Sequence, residues 1–301
     1  MKTLVLGLDG LDDELSGLPG GDVAEYHGRL ETFYTTFPSF MCTLTGMRYK
    51  QTGFAPHRVF RNHTFIWDRL GDMRQTYINI PPTYPAELVN GSFICGFMGS
   101  RLNSNSVCPP ALVEDLRRDV DYRFTEELDK PLALEGRWDD FFESCMGLMG
   151  MRTRAIKYFA ERDRSELLYA VYTASDECLH QRVEGRLGEK RIREMKRVLL
   201  ENVNDVVEAL QPETTIFFSD HGFNLQGYHG TKDPETRWGT WAIRTDLDHV
   251  PPRREAHILD VLPTILTSLD VQYDDLEGCS LVFSESDKRA MITKLERLSY
   301  I

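Results

Sequence analysis

The sequence predicts an α/β fold with a mostly parallel sheet covered by helices on both faces, and three observations predict it. Thr3–Leu8 (TLVLGL), Leu167–Thr173 (LLYAVYT) and Thr214–Ser219 (TTIFFS) are short, continuous apolar runs. Runs of this kind form strands buried on both faces. Between the last two, Ile192, Met195, Leu199, Val203, Val206, Val207 and Leu210 recur at spacings of three and four within Glu189–Leu210. That is one stripe of an amphipathic helix. Strand, helix, strand in that order is a βαβ unit, whose crossover makes its strands parallel.

The remaining elements follow in chain order. In Thr35-Thr36-Phe37-Pro38-Ser39-Phe40 a helix begins, with Thr36 as the expected N-cap, because proline is tolerated only in a helix's first turn. From about residue 50 to 135, Pro81-Pro82, Pro85 and Pro109-Pro110 interrupt strand signals at Tyr77–Ile80 and Ser92–Phe97. This stretch reads partly as sheet continuation and partly as loops over one sheet edge. The expected organisation is one domain over 1–301 with a small loop-rich, cap-like insertion at about 54–135. Further helices are expected over Trp138–Glu161, Ala256–Ser268 and Asp287–Leu298.

Composition narrows the function classes. The 301 residues are 41% hydrophobic and 27% charged, which excludes a fibrous or disordered chain. No stretch approaches the roughly 20 consecutive apolar residues of a membrane helix, so no membrane span is expected. Forty-seven acidic against 35 basic residues give a charge of −12, which argues against stable nucleic-acid binding. Cys42, Cys95, Cys108, Cys145, Cys178 and Cys279 are spread without a CxxC pair, and MKTLVLGLDG does not read as a signal peptide. Reduced thiols in a cytoplasmic protein are the expectation. Nothing in the sequence speaks to oligomeric state.

Each strand of the first group ends in a carboxylate: Asp9, Asp176 and Asp220. Ligands of open α/β sheets bind outside the carboxyl ends of the strands, and three acids gathered there repel one another unless cations join them. His180 stands four residues after Asp176 in DECLH, on the same helix face. His221 follows Asp220 in SDHGF, and His229 lies in GYHG. Aspartate and histidine together suit zinc, with manganese or iron as competitors. Taken alone, an Asp-x3-His is a solvated helix face and an Asp-His-Gly a turn. Their coincidence at strand ends is what favours a metal. Thr36, beside free N–H groups at a helix start, would meet a phosphate or an alkoxide there, although the same motif also serves as a plain cap.

These motifs resemble the alkaline phosphatase superfamily, in its type I phosphodiesterase / nucleotide pyrophosphatase branch. VLGLDGLDDEL resembles the opening strand and first metal aspartate, and TTFPSFMCTLTG the nucleophile segment. IWDRL and INIPPTYPAELVNGSFICGF resemble the stretch that follows in prokaryotic members. DECLH, FFSDHGF and GYHG resemble the later ligand motifs, and HILDVLPTILTSLDV with LEGCSL the closing helix and tail. The resemblance implies an alkaline-phosphatase-like three-layer α/β/α fold and two divalent metal ions. One would be held by Asp176, His180 and His229, the other by Asp9, Asp220 and His221 with Thr36 as a further ligand and as the nucleophile. Thr52-Gly53 departs from the His-Gly of many relatives. Sulfatases place a cysteine within Cys-x-Pro-x-Arg, where this chain has Thr36, Pro38 and Phe40, which argues against that activity.

The expected function is a two-metal phosphodiesterase or nucleotide pyrophosphatase that forms a phosphothreonine-type intermediate on a small-molecule diester or nucleotide. A phosphomonoesterase or phosphotransferase is the alternative, with Arg48, Lys50, Arg58 or Arg61 supplying an extra cation. A non-catalytic metal-binding scaffold is the alternative of another class. Trp67, Tyr84, Phe97 and Tyr122 are candidates to stack on a leaving group, or else core residues. Asn62, His63, Asn90 and Asn103 are loop candidates beside them.

Overall fold

The computed structural model describes residues 1–11, 27–52, 63–96, 101–124, 131–182, 186–224, 226–230, 233–247 and 255–283, with residues 286, 287 and 289. Gly53, Arg58, Arg61, Asn62, Phe97 and nearly all of the expected Asp287–Leu298 helix lie outside the described residues.

The strands are β1 (Thr3–Leu8), β2 (His27–Glu31), β3 (Gln75–Ile80), β4 (Gly91–Cys95), β5 (Val107–Cys108), β6 (Leu167–Tyr172), β7 (Thr214–Phe218), β8 (Trp238–Thr245) and β9 (Glu255–His257). Together they form one sheet in the order β5-β4-β3-β6-β1-β7-β8-β2-β9. The central strands β3, β6, β1 and β7 run parallel, while β8 pairs antiparallel with both β7 and β2. The helices are α1 (Thr36–Thr45), α2 (Tyr49–Thr52), α3 (Ile66–Leu70), α4 (Leu112–Asp115), α5 (Trp138–Asp163), α6 (Ala174–His180), α7 (Glu189–Leu210) and α8 (Val261–Ser268).

Side-chain alternation along the strands sorts two cores. Leu4, Leu6 and Leu8 of β1, with Leu168, Ala170 and Tyr172 of β6, face a core shared with α5, α6 and α7. Val5, Tyr169, Val171, Ile216 and Phe218 face the opposite core, shared with α1, α3 and α8. Both faces of β1, β6 and β7 are therefore covered, which is why those sequences read as unbroken apolar runs. The layering is three-layer α/β/α. Buried tyrosine hydroxyls are satisfied within it: Tyr169 pairs with Thr43 and Tyr172 with Thr153, each at 2.8 Å.

The βαβ unit is present, with β1 inserted between its strands: β6 and β7 flank β1 in parallel register. Pairing Leu8 with Tyr172 and Gly7 with Phe218 brings three chain exits level at one edge. Asp9, the start of α6 and Asp220 emerge together there.

Two expectations are corrected, and one open alternative is decided. Thr36 is the first residue of α1 rather than its cap: Thr35, at φ −146° and ψ 153°, is the extended flanking residue. The Thr36 hydroxyl instead faces His221. The expected helix Ala256–Ser268 begins as strand β9, passes through a 3₁₀ turn at Ile258–Asp260 and becomes α-helical only at Val261. The His257 ring accepts from Leu259 N, and Asp260 Oδ2 accepts from His257 N, which sets the helix start further along the chain. Trp67 and Tyr122 are core residues: Trp67 stacks on Phe65 with centroids 4.5 Å apart, and Arg152 lies over the Tyr122 ring at 4.8 Å. All six cysteines are free thiols.

Candidate active site

The chain reversals after β1 and β7 deliver the first part of the site. Asp9 N donates to Tyr172 O at 3.0 Å, which fixes the level of Asp9 against β6. Gly10 then turns back at φ +73° and its N–H donates to Asp220 Oδ1 at 3.2 Å. A Cβ on Gly10 would stand 2.6 Å from Phe223 Cε2 and 3.3 Å from the Asp176 backbone. Both its conformation and its surroundings require glycine. The Ser175 hydroxyl, from the first turn of α6, donates to Asp9 O at 2.7 Å and ties that turn to the same edge.

One oxygen of each aspartate is left without a hydrogen-bond partner although buried: Asp9 Oδ1, Asp176 Oδ1 and Asp220 Oδ2. All three stand around one atom, His221 Nε2, at 3.4, 3.5 and 3.5 Å respectively. Thr36 Oγ1 is 3.2 Å from that same nitrogen. Orphaned buried carboxylate oxygens cost several kcal/mol each unless a cation or donor meets them. This donor set, hard oxygens with imidazole nitrogen, fits a divalent cation such as zinc, manganese or iron.

The second part is carried by α6 and by the chain after β7. His180 Nε2 lies 3.5 Å from Asp176 Oδ2, and His229 Nε2 lies 3.7 Å from Asp176 Oδ1. The two histidines bring their Nε2 atoms within 3.0 Å of each other. The ligand atoms of Asp176, His180 and His229 lie within 4.8 Å of one another, as do those of Asp9, Asp176 and His221. Asp176 thus stands beside both groups, whereas the resemblance assigns it to one; Asp220 joins the second group through its contact with His221.

Electrostatics follow from this burial. Asp9 is held well above the ordinary carboxylate range by burial first and by the neighbouring Asp220 carboxylate next, with the Thr36 hydroxyl pulling the other way. Asp176 is raised by burial and then by Asp9. Burial lowers His180, and lowers His229 to about 3 with help from His221 and His180. The outer histidines are therefore neutral, the form that binds a metal. The other ring nitrogens are occupied by backbone. His229 Nδ1 donates to Tyr34 O at 3.3 Å, and His221 Nδ1 donates to Gly222 O at 3.3 Å. Each such bond leaves Nε2 with its lone pair directed into the site. Phe223 stands edge-on to His180, His221 and His229 with centroids 5.0, 5.4 and 5.1 Å away, an apolar wall behind the imidazoles.

The seven expected site residues are all brought together. Among the described residues, Arg48, Lys50, Asn90 and Asn103 are engaged elsewhere. Arg48 lies past the far end of α1, a ten-residue helix of about 15 Å, and pairs with Glu277 at 2.8 Å. Lys50 lies in α2 beyond it. Asn103 Oδ1 accepts from Asn105 N at 2.8 Å and Asn90 donates to Asp72 O, so both hold turns. Tyr84 is 42% exposed. Sequence reading passed over Tyr34, whose φ of +66° aims its carbonyl at His229, and Phe223. The SDHGF motif contains Phe223, but its contact with three rings is visible only in space.

No protein-family model matches the chain, and no curated protein matches it in sequence. Solved structures do resemble it. Human ectonucleotide pyrophosphatase / phosphodiesterase 5 matches with a TM-score of 0.54 at 11% identity, over 92% of this chain and 97% of that one. The phosphonate monoester hydrolase of Agrobacterium radiobacter gives 0.51 at 13% identity, over 93% and 76%. A Bacteroides thetaiotaomicron protein described with glycosaminoglycan metabolism gives 0.55 at 13% identity, over 94% and 76%. At such identities the likeness is one of fold, and the fold is alkaline-phosphatase-like α/β.

Proposed function

We propose that this chain is a metal-dependent phosphoric ester hydrolase, a phosphodiesterase or nucleotide pyrophosphatase in which Thr36 is the nucleophile. The observation that carries the reading is the convergence of three orphaned carboxylate oxygens and Thr36 Oγ1 on His221 Nε2 at the sheet's carboxyl edge. Asp176, His180 and His229 would hold one divalent ion, and Asp9, Asp220 and His221 with Thr36 another, zinc being the best fit to this donor set. Divalent ions there supply Lewis-acid charge that activates the hydroxyl oxygen and offsets charge on the leaving oxygen.

The chain's own residues do the rest. Thr36 Oγ1 forms the bond to phosphorus as the bond to the leaving alkoxide breaks, giving a phosphothreonine that water then cleaves. The α1 N-terminus, with its N–H groups lacking intrahelical partners, favours the negative phosphoryl oxygens. Burial of Asp9 and Asp220 behind Gly10 and Phe223 keeps bulk water from the inner half of the site. Arg48 is held by Glu277 away from Thr36, which removes one source of the extra cation a monoesterase would use.

The test is Thr36→Ala. Turnover of a chromogenic phosphodiester should fall on the order of 10⁴-fold or more, while metal content stays at two ions per chain. Undiminished turnover would take Thr36 out of the chemistry.

A further inference from the structure

His229 is carried on a short turn that one side chain organises. Asn224 Oδ1 accepts from Gln226 N at 3.1 Å and from Tyr228 N at 2.9 Å. The Asn224 backbone closes the same turn: its N–H donates to Tyr228 O, and its carbonyl accepts from Gly227 N, both at 3.0 Å. Its amide nitrogen reaches Asp233 Oδ2 at 3.5 Å, on the chain leaving the turn. The turn has two outputs. His229 follows Tyr228 directly and docks through Nδ1 on Tyr34 O at 3.3 Å, and its Nε2 stands 3.0 Å from His180 Nε2. Gly230, at φ +75° and crowded by Thr35 Cγ2 at 2.9 Å from a built Cβ, holds the exit close to the nucleophile segment.

We infer that Asn224 is the positioning residue of the outer half of the site, setting the imidazole of His229 and, through their 3.0 Å approach, that of His180, whereas Asp9, Asp220 and His221 are placed by the ends of β1 and β7. The inference rests on the two-ion reading above. Without the Oδ1 acceptor, the N–H groups of Gln226 and Tyr228 lose their internal partner and take water instead. The His229 backbone, and with it the ring that meets His180, is then no longer fixed relative to α6. Residues that orient a metal ligand in this way typically change affinity about 10- to 100-fold when removed.

Zinc binding is measured by competition with a coloured chelator, so the readout does not depend on turnover. In the full chain, Asn224→Ala should weaken one of two zinc ions about 10- to 100-fold and leave the other unchanged. Asn224→Asp together with Asp233→Asn keeps the two-fold acceptor and restores a donor across the 3.5 Å contact, so affinity should return towards the original. In a His180→Ala background, whose outer position is already short of a ligand, Asn224→Ala should leave the affinity of the inner ion unchanged. If Asn224→Ala fails to fold, Asn224→Ser, which keeps a weaker hydroxyl acceptor, is measured in its place and should weaken the same single ion. Equal affinities in the original chain and in Asn224→Ala would overturn the inference. So would weakening of both ions together, or a swap variant no better than alanine. Fewer than two ions in the original chain would instead overturn the reading beneath it.

Discussion

Asp9, Asp220 and His221 leave the ends of β1 and β7 with side chains 4%, 0% and 0% exposed. Asp176, His180 and His229, carried by a two-turn helix and a loop, are 14%, 38% and 16% exposed. The inner half is thus built on the most buried strands of the sheet, and its geometry is set by strand register. The outer half depends on short local structure: the Ser175–Asp9 bond, the Asn224 turn and the docking of His229 on Tyr34. Charge differs in the same direction. In the inner half burial pushes Asp9 towards protonation, and in the outer half it pushes His180 and His229 towards neutrality. A site divided this way can keep one position rigid while the other adjusts to substrate and product.

The largest expected effect separates the halves by single substitutions. His221 faces Thr36 and all three carboxylates, so His221→Ala should lower diester turnover on the order of 10³-fold or more. His180→Ala, at the exposed rim, should lower it by a smaller factor, about 10- to 100-fold. Parallel kcat measurements on the two variants check this, and equal losses would erase the distinction between a rigid and an adjustable half.

A smaller effect concerns stability and pH. Asp9 and Asp176 sit above their ordinary 3.8 in the folded chain. With metal removed by chelation, the folded form keeps protons that the unfolded form releases. Their contribution is complete below pH 3.8 and is lost as pH rises through the raised values. His229, lowered from 6.5 to about 3, acts oppositely: its contribution is present above pH 6.5 and is lost as pH falls towards 3. Urea unfolding of the chelated chain should therefore show the acids' share of the stability declining as pH rises from 3.8 through their raised values, set against a gain from His229 that is complete by pH 6.5. Saturating zinc, which replaces those protons, should flatten the decline. The same slope with and without zinc would mean that Asp9 and Asp176 do not meet a cation.

Legibility in the sequence followed burial. β1, β6 and β7 were readable because both faces of each strand are covered, so every position is apolar; α7 was readable to its last residue because one clean stripe faces the core. β2, with the sequence HGRLE and mostly exposed or half-exposed side chains, carries no such run, and its place between β8 and β9 is decided by pairing alone. The start of α8 was misjudged because the bonds between His257, Leu259 and Asp260 outweigh the apolar periodicity that precedes it. In the site, aspartates and histidines were legible through their coincidence at strand ends, each motif alone having a plain structural reading. The position of Asp176 between the two groups, the Tyr34 carbonyl and the Phe223 wall were not, because backbone dihedrals and contacts across distant segments create them.

Anomalous diffraction at the zinc edge, from crystals of the full chain grown with zinc, bears most directly on the proposed two-ion centre. Two peaks are expected, one among Asp176, His180 and His229 and one among Asp9, Asp220 and His221 with Thr36 Oγ1 turned towards it. A single peak, or none, or Thr36 facing away from the ions would contradict the account.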